Sequence, residues 1–599
     1  MANFGPRTPS TESSTCSAEG SEHASSLRRS FSRSRSPIPR LKQLFSLKSP
    51  PPSFASLESF ANAPPIEVII NVGRHLSSPR DVLSVSLTCR QARAALLPRL
   101  YNTVELRSNK ACRSALEAFS KRSEITQHIQ TLTVRPNNTE RTPSGEHLDE
   151  LLVSNLIIVI ASRLPSLHSF YWDGLEMPDD KLWLALRKFC PRLKCIGTSV
   201  GTLPLDTSDA LFDFRDLLKF SFTVRCDSLT WLTEGRPSVE KLPRRLWQML
   251  LERCPGLTEL TIGGSAPSPR LFDTRHVMAG RWPRLRKLTL GETIILHASQ
   301  DENAPETQAL NKFLAAHPTL REIAFQHPGT YGYPDSLLLP QNALPRVESF
   351  SGPPRYVRAL THPARLKSLA ITTLHHCPSA FPPTCAILHG FPSLTSLSIW
   401  IDLSFARRNP LHDGGNIFRT ILECCPRLIH FDVSCFTRPT FHVKEFSAAL
   451  TRSPQLRSFS LTKIHKQSDE DMNQTAMRIA HDNPNIQKFS LRYSLDTWLT
   501  HSTGRIKQFG DYEVLTRPDG LPGSMVGYEW GVRTFGSPYS RHYVQDLRPP
   551  RSKQASRSSW SSPLEQPQSP RPQSVLSVQP SVSHSVHWQP SVSHSVHWH

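Results

Sequence analysis

The stretch PGLTELTI, residues 255–262, contains one complete unit of the pattern that fills the middle of this chain. A proline is followed two residues later by an apolar anchor, Leu257, and then by alternating polar and apolar residues. This alternation has the period of a strand with one apolar face. The preceding residues, RRLWQMLLERC at 244–254, carry apolar residues at helical spacing, and Pro255 cannot continue that helix. The unit therefore predicts a helix, a stop and a short strand.

The same unit recurs along the chain at nearly constant length. Most successive anchors are 24 to 35 residues apart, which is typical of a structural repeat. The copies that keep the proline begin at Pro165, Pro191, Pro255, Pro283, Pro318, Pro345, Pro392, Pro426, Pro454 and Pro484. Variants begin at Leu217 and Ala364, and HIQTLTV at residues 128–134 is predicted to open the series. A helical stretch is predicted before each proline.

Repeats of this kind can bury their apolar faces only by stacking on their neighbours. The sequence therefore predicts an α/β fold, with parallel strands lining the inside of an arc and helices outside. The pattern resembles the irregular, long-repeat kind of leucine-rich-repeat solenoid, over residues 108–500. Residues 501–547 alternate around glycine-rich turns and are predicted to form a C-terminal capping β-hairpin.

Both ends of the chain are predicted to be disordered, the first because it is rich in Ser, Arg and Pro and the second because it is rich in Ser, Gln and Pro. They are residues 1–60 and residues 548–599, and the second closes with a tandem duplication of QPSVSHSVHW. Part of the formal net charge of +20 lies in these ends, because residues 1–60 hold eight basic and four acidic residues. No basic block alternates with aromatic residues between them, so nucleic acid is not the expected partner.

Cysteine usage and hydropathy indicate a reducing compartment. The twelve cysteines form no C-x-x-C pair, and MANFGPRTPSTESS at residues 1–14 is polar. The most apolar stretch, residues 151–164, is shorter than the roughly 20 residues that a membrane-spanning helix needs. We expect a protein of the cytoplasm or nucleus, with no membrane partner.

Residues 64–101 are helical in pattern and lie just before the repeats. Pro64 and Pro65 suit a helix start, and SPRD at residues 78–81 signals a second helix with Ser78 as its cap. Gly73 is expected to interrupt the first helix, and Pro98 is expected to end a third. Three short helices carry more apolar residues here than so small a bundle can bury, so the surplus predicts a partner.

These residues resemble the F-box, over about residues 61–107. Residues 63–68 (APPIEV) stand where the family has Leu-Pro-x-Glu-hydrophobic, and DVLSVSLTCR at residues 81–90 matches its central pattern. ALLPRLYNTVEL then looks like the continuation found in fungal members. The resemblance implies that this segment docks a Skp-type adaptor, and through it a cullin–RING ligase. The residues expected to contact the adaptor are Pro64, Pro65, Ile66, Val68, Ile69, Leu76, Leu83, Val85 and Leu87.

The repeats would then hold a protein substrate. Residues between and just after the anchors of each strand are expected to face the hollow of the arc. The proposed substrate-binding residues are Tyr171, Asp173, Glu259, Lys287, Glu322, Trp400, Asp432, Lys488 and Arg492, with Thr261, Thr289, Ser398 and His430 beside them. Tyr171 and Trp400 stand out because aromatic residues are enriched at interface hot spots, although either ring could instead pack on a neighbouring strand.

No catalytic group, metal site or cofactor is predicted. The stretch GTSVG at residues 197–201 fits the hydrolase elbow G-x-S-x-G, but TLPLD follows it, whereas that motif requires a helix. Two functions remain open. The first is the substrate-recognition subunit of a Skp–cullin–F-box ubiquitin ligase, and the alternative is a non-catalytic binding scaffold that acts outside ubiquitin transfer.

Overall fold

A computed structural model provides the structure of the chain. It describes residues 64–76, 78–137, 147–225, 238–264, 270–291, 293–294, 305–325, 339–341, 343–376, 381–402, 414–435, 441, 443–464, 471–494, 506–517, 520–532 and 538–547. The predicted disorder of residues 1–60 and 548–599 lies outside these ranges. The chain forms two compact units, Met1–Ile69 and Ile70–His599, whose boundary falls within the first helix.

One large, mostly parallel sheet organises the second unit. It contains seventeen of the described strands. They are β1 (Thr103–Leu106), β2 (Thr131–Val134), β3 (Ser169–Trp172), β4 (Cys195–Val200), β5 (Lys219–Val224), β7 (Glu259–Ile262), β9 (Lys287–Leu290), β11 (Glu322–Phe325), β12 (Ser349–Gly352), β13 (Ser368–His376), β14 (Ser396–Asp402), β15 (His430–Cys435), β16 (Ser458–Ile464), β17 (Lys488–Ser494), β18 (Ile506–Thr516), β19 (Pro522–Val532) and β20 (Pro538–Asp546).

From β1 to β17, each strand of this sheet pairs in parallel with the next one along the chain. This stepwise order is that of a repeat solenoid, as the sequence predicts. The series begins one strand earlier than predicted, because β1 pairs with β2 in the same register. The NTVEL segment therefore already belongs to the sheet.

Many strands bury one face with period two. In the first half of β16, Phe459 and Leu461 are buried, whereas Ser458 and Ser460, which alternate with them, remain partly accessible. The anchors Leu257 and Leu285, which precede β7 and β9, are also fully buried. The apolar core therefore lies on one side of the sheet and follows it from repeat to repeat.

The α-helices of the described ranges precede β1 or connect later strands. They are α1 (Ile66–His75), α2 (Pro79–Ser86), α3 (Arg90–Tyr101), α4 (Asn109–Lys121), α5 (Ser123–Thr126), α6 (Glu150–Ala161), α7 (Asp180–Phe189), α8 (Arg244–Gln248), α9 (Pro305–Ala315), α10 (Pro354–Val357), α11 (Phe381–His389), α12 (Gly414–Cys424), α13 (Val443–Leu450) and α14 (Met472–Asp482). None of the helices in the described ranges is long and apolar enough to cross a membrane.

The prediction of an α-helix before every strand is wrong for some repeats. A short 3-10 helix, Ala210–Asp213, precedes β5, and another, Arg275–Ala279, precedes β9. In these repeats a single tight turn takes the place of the longer helix. The repeats are therefore irregular in their helical layer and regular in their strands.

A second sheet that the sequence analysis missed contains β6 (Ser238–Lys241), β8 (Arg270–Asp273) and β10 (Thr293–Ile294). All its pairings are parallel. Each of its strands follows a strand of the large sheet, namely β5, β7 and β9. Segments at the same place in successive stacked repeats run in the same direction, which explains the parallel pairing.

Three long antiparallel strands extend the large sheet beyond the last parallel one. β18 pairs with β17, β19 pairs with β18, and β20 pairs with β19. The Phe489 and Tyr512 rings stack at 4.8 Å between centroids across the β17–β18 boundary. Tyr512 and Tyr543 both donate hydrogen bonds to Glu529 Oε1, at 2.8 and 2.6 Å, and this carboxylate is fully buried.

Two local predictions for α1 and α3 are wrong. Helix α1 runs through Gly73, where a side chain would collide with Leu96 of α3, so glycine permits a close approach rather than a break. Helix α3 continues through Pro98 to Tyr101. Its last turn is held by Arg99, whose guanidinium donates a 2.8 Å hydrogen bond to the Leu76 carbonyl. Tertiary contacts here outweigh the cost of proline in a helix.

Candidate functional site

The described residues of the first unit expose apolar side chains on a short segment. Ile66 is 40% and Val68 is 47% accessible, and Pro64 and Pro65 are also exposed. Ile69, which was expected to contact the adaptor as well, is only 7% accessible. Its burial leaves little of its surface for a partner.

Helix α2 of the second unit also exposes apolar residues. Leu83 is 47% accessible and Leu87, just after the helix, is 70% accessible. Leu76 and Val85 are half-buried, and Val82 is the buried apolar residue of α2. The sequence analysis missed Val72 in α1, which is 46% accessible and could have been found by its helical spacing from the other apolar residues.

Charged side chains alternate in sign along one row of the large sheet. The row joins Lys219, Glu259, Lys287 and Glu322 on successive strands in register. Lys219 Nζ lies 2.5 Å from Glu259 Oε1, and Lys287 Nζ lies 2.8 Å from Glu322 Oε2. The structure thus brings three predicted substrate-binding residues together, but each already has a partner of opposite charge. Such half-exposed pairs stabilise the fold little and can exchange partners readily.

Tyr171 and Asp173 lie at the start of the same sheet. Tyr171 on β3 is half-buried, and burial raises the pKa of its hydroxyl to about 12. Asp173 follows β3 and forms ion pairs with Arg135 at 3.3 Å and Arg225 at 2.7 Å. Asp173 therefore links the ends of neighbouring repeats. Thr261 on β7 is partly accessible, whereas Thr289 on β9 is buried.

A hollow of about 720 Å³ opens on the accessible face between the last parallel strands and the antiparallel ones. Asp432, Lys488 and Arg492 line it, as does His430. Trp400 on the adjacent strand β14 is half-buried and pairs in register with Ser434, a lining residue. Lys488 Nζ lies 3.3 Å from Glu513 Oε1 on β18. The later predicted residues are therefore neighbours in space.

A hydrogen-bonded polar network covers the floor of this hollow. Ser398 donates to Asp432 Oδ2 at 3.0 Å, and Ser490 donates to Asp511 Oδ1 at 2.7 Å. Asp432 is open to solvent, yet the protein atoms around it raise the pKa of its carboxyl, while the Ser398 hydrogen bond and the Arg492 charge oppose that rise. The sequence analysis missed Ser458, Ser460, Ser490 and Asp511. The serines could have been found, because PQLRSFSL and PNIQKFSL place them at accessible strand positions.

One serine in the hollow meets part of the geometry of an activated nucleophile. Ser458 Oγ and His430 Nδ1 are 2.6 Å apart. Activation also needs a group that orients the histidine, but Asp432, two residues along the same strand, accepts a hydrogen bond from Ser398 instead. Ser199, of the GTSVG stretch, is fully buried in β4 and donates to the Gly174 carbonyl. Within the described ranges, no three His, Cys, Asp or Glu residues are placed to hold a metal ion.

Comparison with known proteins identifies no family. No protein-family model matches the chain, and no curated protein matches it. Among solved structures, it is similar to a chain of the yeast Rad7–Elc1 complex, with 12% identity over 70% of this chain and 96% of that chain and a TM-score of 0.35. It is also similar to a chain of the TLR13–ssRNA13 complex, with 13% identity, coverage of 57% and 55%, and a TM-score of 0.24. Likenesses this distant carry no functional argument.

Proposed function

We propose that the chain is the substrate-recognition subunit of a Skp–cullin–F-box ubiquitin ligase. The observation that carries the proposal is the resemblance of residues 64–68 and 81–90 to the F-box, together with the exposed apolar side chains Leu83 and Leu87. Exposed leucines at adjacent turns of a small helical segment are costly in water and are stabilised by a partner.

The apolar helical surface and the polar face of the repeats have separate binding roles in this proposal. The helical residues dock the Skp-type adaptor, and the polar face of the repeats binds a protein substrate. The chain itself supplies no catalytic group or cofactor. Ubiquitin transfer is accelerated because the bound substrate meets the activated ubiquitin at high effective concentration. We place this activity in the cytoplasm or the nucleus.

Adaptor binding by purified full-length variants tests the proposal. Leu83→Asp with Leu87→Asp introduces charge into an apolar contact, so the affinity for a Skp-type adaptor should fall at least about a hundredfold. Ile66→Asp with Val68→Asp tests the first unit separately. Leu151→Asp with Leu152→Asp is the matched control, since these leucines of α6 are 53% and 39% accessible.

Three outcomes are informative. Loss of binding in the α2 variant, with binding retained in the α6 control, supports the F-box proposal. Unchanged binding in the α2 variant contradicts it. Binding of the adaptor without recruitment of a cullin, and without ubiquitin transfer to captured proteins, favours the alternative of a scaffold acting outside ubiquitin transfer.

A further inference from the structure

The turns that precede the middle strands of the large sheet carry closely spaced cations. Arg321, Glu348 and Lys367 occupy equivalent places before β11, β12 and β13, and their backbones form one hydrogen-bonded ladder. Neighbouring strands are about 4.8 Å apart, so these side chains are spaced at that interval. Arg346 and Arg365 occur two residues earlier in two of the same turns.

These residues surround a hollow of about 540 Å³. Its lining is Arg321, Arg346, Glu348, Ala364, Arg365, Lys367, Ser393 and Thr395. We call the four cations Arg321, Arg346, Arg365 and Lys367 the basic edge. Its members are exposed, and a single carboxylate, Glu348, accompanies them.

The three arginines of the basic edge are not neutralised by carboxylates in the part of the chain that the structure describes, in contrast to several other arginines. Elsewhere, Asp173 holds two arginines and Asp213 holds Arg187 and Arg245. Within the basic edge, Lys367 Nζ pairs with Glu348 Oε2 at 2.8 Å. The three arginines have no ion pair with any carboxylate of the described ranges, and the Arg365 guanidinium donates a 2.7 Å hydrogen bond to the Pro345 carbonyl.

The positive charges of the basic edge affect the ionisation of the neighbouring Glu348. The Lys367 hydrogen bond and the charges of Arg321 and Arg365 hold the pKa of Glu348 below its usual range. Guanidinium groups bind carboxylates and phosphates through paired hydrogen bonds. The surface therefore suits a ligand with several oxyanions.

The lining also restricts the class of ligand. None of its residues is aromatic, so it lacks the stacking surfaces that single-stranded nucleic acids use. The chain's own ends are also poor occupants, because residues 1–60 hold eight basic and four acidic residues and residues 548–599 hold five and one.

We propose that the basic edge binds an acidic segment of a partner protein, through clustered carboxylate or phosphate groups. The partner would be the recruited substrate if the proposed function holds, and the binding itself does not require the adaptor. Failure of one proposal is therefore distinguishable from failure of the other. Binding of acidic peptides and binding of the adaptor are measured separately on the same protein.

Fluorescence anisotropy with full-length protein tests the proposal. The probes are a short peptide alternating Glu and Ser, its phosphoserine counterpart, its Gln counterpart, and a single-stranded RNA of equal length. Arg321→Gln, Arg346→Gln and Arg365→Gln together should weaken the acidic probes at least about tenfold, because each lost hydrogen bond to a charged group is worth about that factor. Added salt should weaken binding further.

The control changes net charge equally at comparable turns outside the hollow. Arg192→Gln, Arg215→Gln and Arg457→Gln should leave binding within about twofold, since each lies at least three strands, about 14 Å, from the nearest cation of the basic edge and is screened. Tighter binding of the glutamate or of the phosphoserine probe identifies the source of the oxyanions. Equal binding of the Gln peptide, unchanged binding in the triple variant, or preference for RNA would overturn the proposal.

Discussion

Ionisation of one buried carboxyl group, Asp209, makes the stability of this fold depend on pH. Its Oδ1 accepts a 2.8 Å hydrogen bond from the Leu211 amide, and its side chain caps the 3-10 helix before β5. Burial is the main cause that raises the pKa of Asp209 to about 7, and the neighbouring Asp180 charge adds to it. The ionised form is therefore disfavoured in the folded state.

The sign of the pH dependence follows from this shift. A carboxyl whose pKa is raised by folding costs stability once it ionises, so the penalty grows as pH rises from about 4 to about 7. Asp209→Asn keeps the capping oxygen and removes the charge. We expect the variant to match the wild type at pH 4 and to be more stable at pH 8 by on the order of 2 kcal/mol, as measured by urea unfolding.

Asp206→Asn is a control in the same loop. Asp206 is exposed, and its hydrogen bonds from Ser208 lower the pKa of its carboxyl, so its removal should give no gain at high pH. A stability difference between Asp209→Asn and wild type that is the same at pH 4 and pH 8 would contradict the assignment.

At the scale of elements, helix propensity and side-chain packing predict opposite effects for a substitution at Gly73. Alanine is favoured over glycine in a helix by about 1 kcal/mol, which predicts that Gly73→Ala stabilises α1. A Cβ at this position would collide with Leu96, which is 1% accessible and cannot move away freely. We expect net destabilisation by about 1–2 kcal/mol, seen as faster amide hydrogen exchange in α3.

A double variant makes the cause specific. Leu96→Val shortens the side chain that the new methyl group meets, so Gly73→Ala with Leu96→Val should lose less stability than the sum of the single changes. Gly256→Ala is the control, because a Cβ there would lie 3.8 Å from Leu218 Cδ2, an ordinary contact. Slower exchange in α3 of Gly73→Ala would show that propensity prevails.

The elements differ in how far the sequence predicts them. The parallel strands follow from period-two alternation after each proline, because the buried positions of a strand are fixed by the pleat. Residues of β14–β17 that share a row were predicted one by one, and the register then brings them into one hollow. Local pattern could not predict the sheet of β6, β8 and β10, because its short strands are specified by the stacking of repeats rather than by their own residues.

The basic edge was missed for a similar reason. Its arginines are separated by up to 44 positions in sequence, between Arg321 and Arg365, and each taken alone is an ordinary exposed residue of a turn. Only the pairing of β11, β12 and β13 places them side by side. Ion pairing likewise depends on neighbouring repeats, so the three arginines could not be distinguished from the paired ones by sequence.

At the scale of the whole molecule, each repeat is stabilised mainly by its contacts with the two adjacent repeats. Each parallel strand pairs mainly with its two neighbours, so the loss of a terminal element should affect nearby repeats most. β17 is covered by β18 along its length, and Phe489 stacks on Tyr512 across that boundary. Removing β18–β20 would expose the backbone edge of β17 and one side of its aromatic core.

Truncation after residue 505 tests this dependence. Hydrogen exchange should accelerate most in β16 and β17, which lose the stacked rings and the backbone pairing, and should remain unchanged in β3 and β4 at the other end of the sheet. The exposed edge of β17 should also promote association, visible as concentration-dependent light scattering.

Truncation after residue 547 is the control and should leave exchange in β17 as in wild type. Uniform acceleration from β1 to β17 would instead show that the sheet unfolds as one cooperative unit, and unchanged exchange in β17 would show that the antiparallel strands do not protect it.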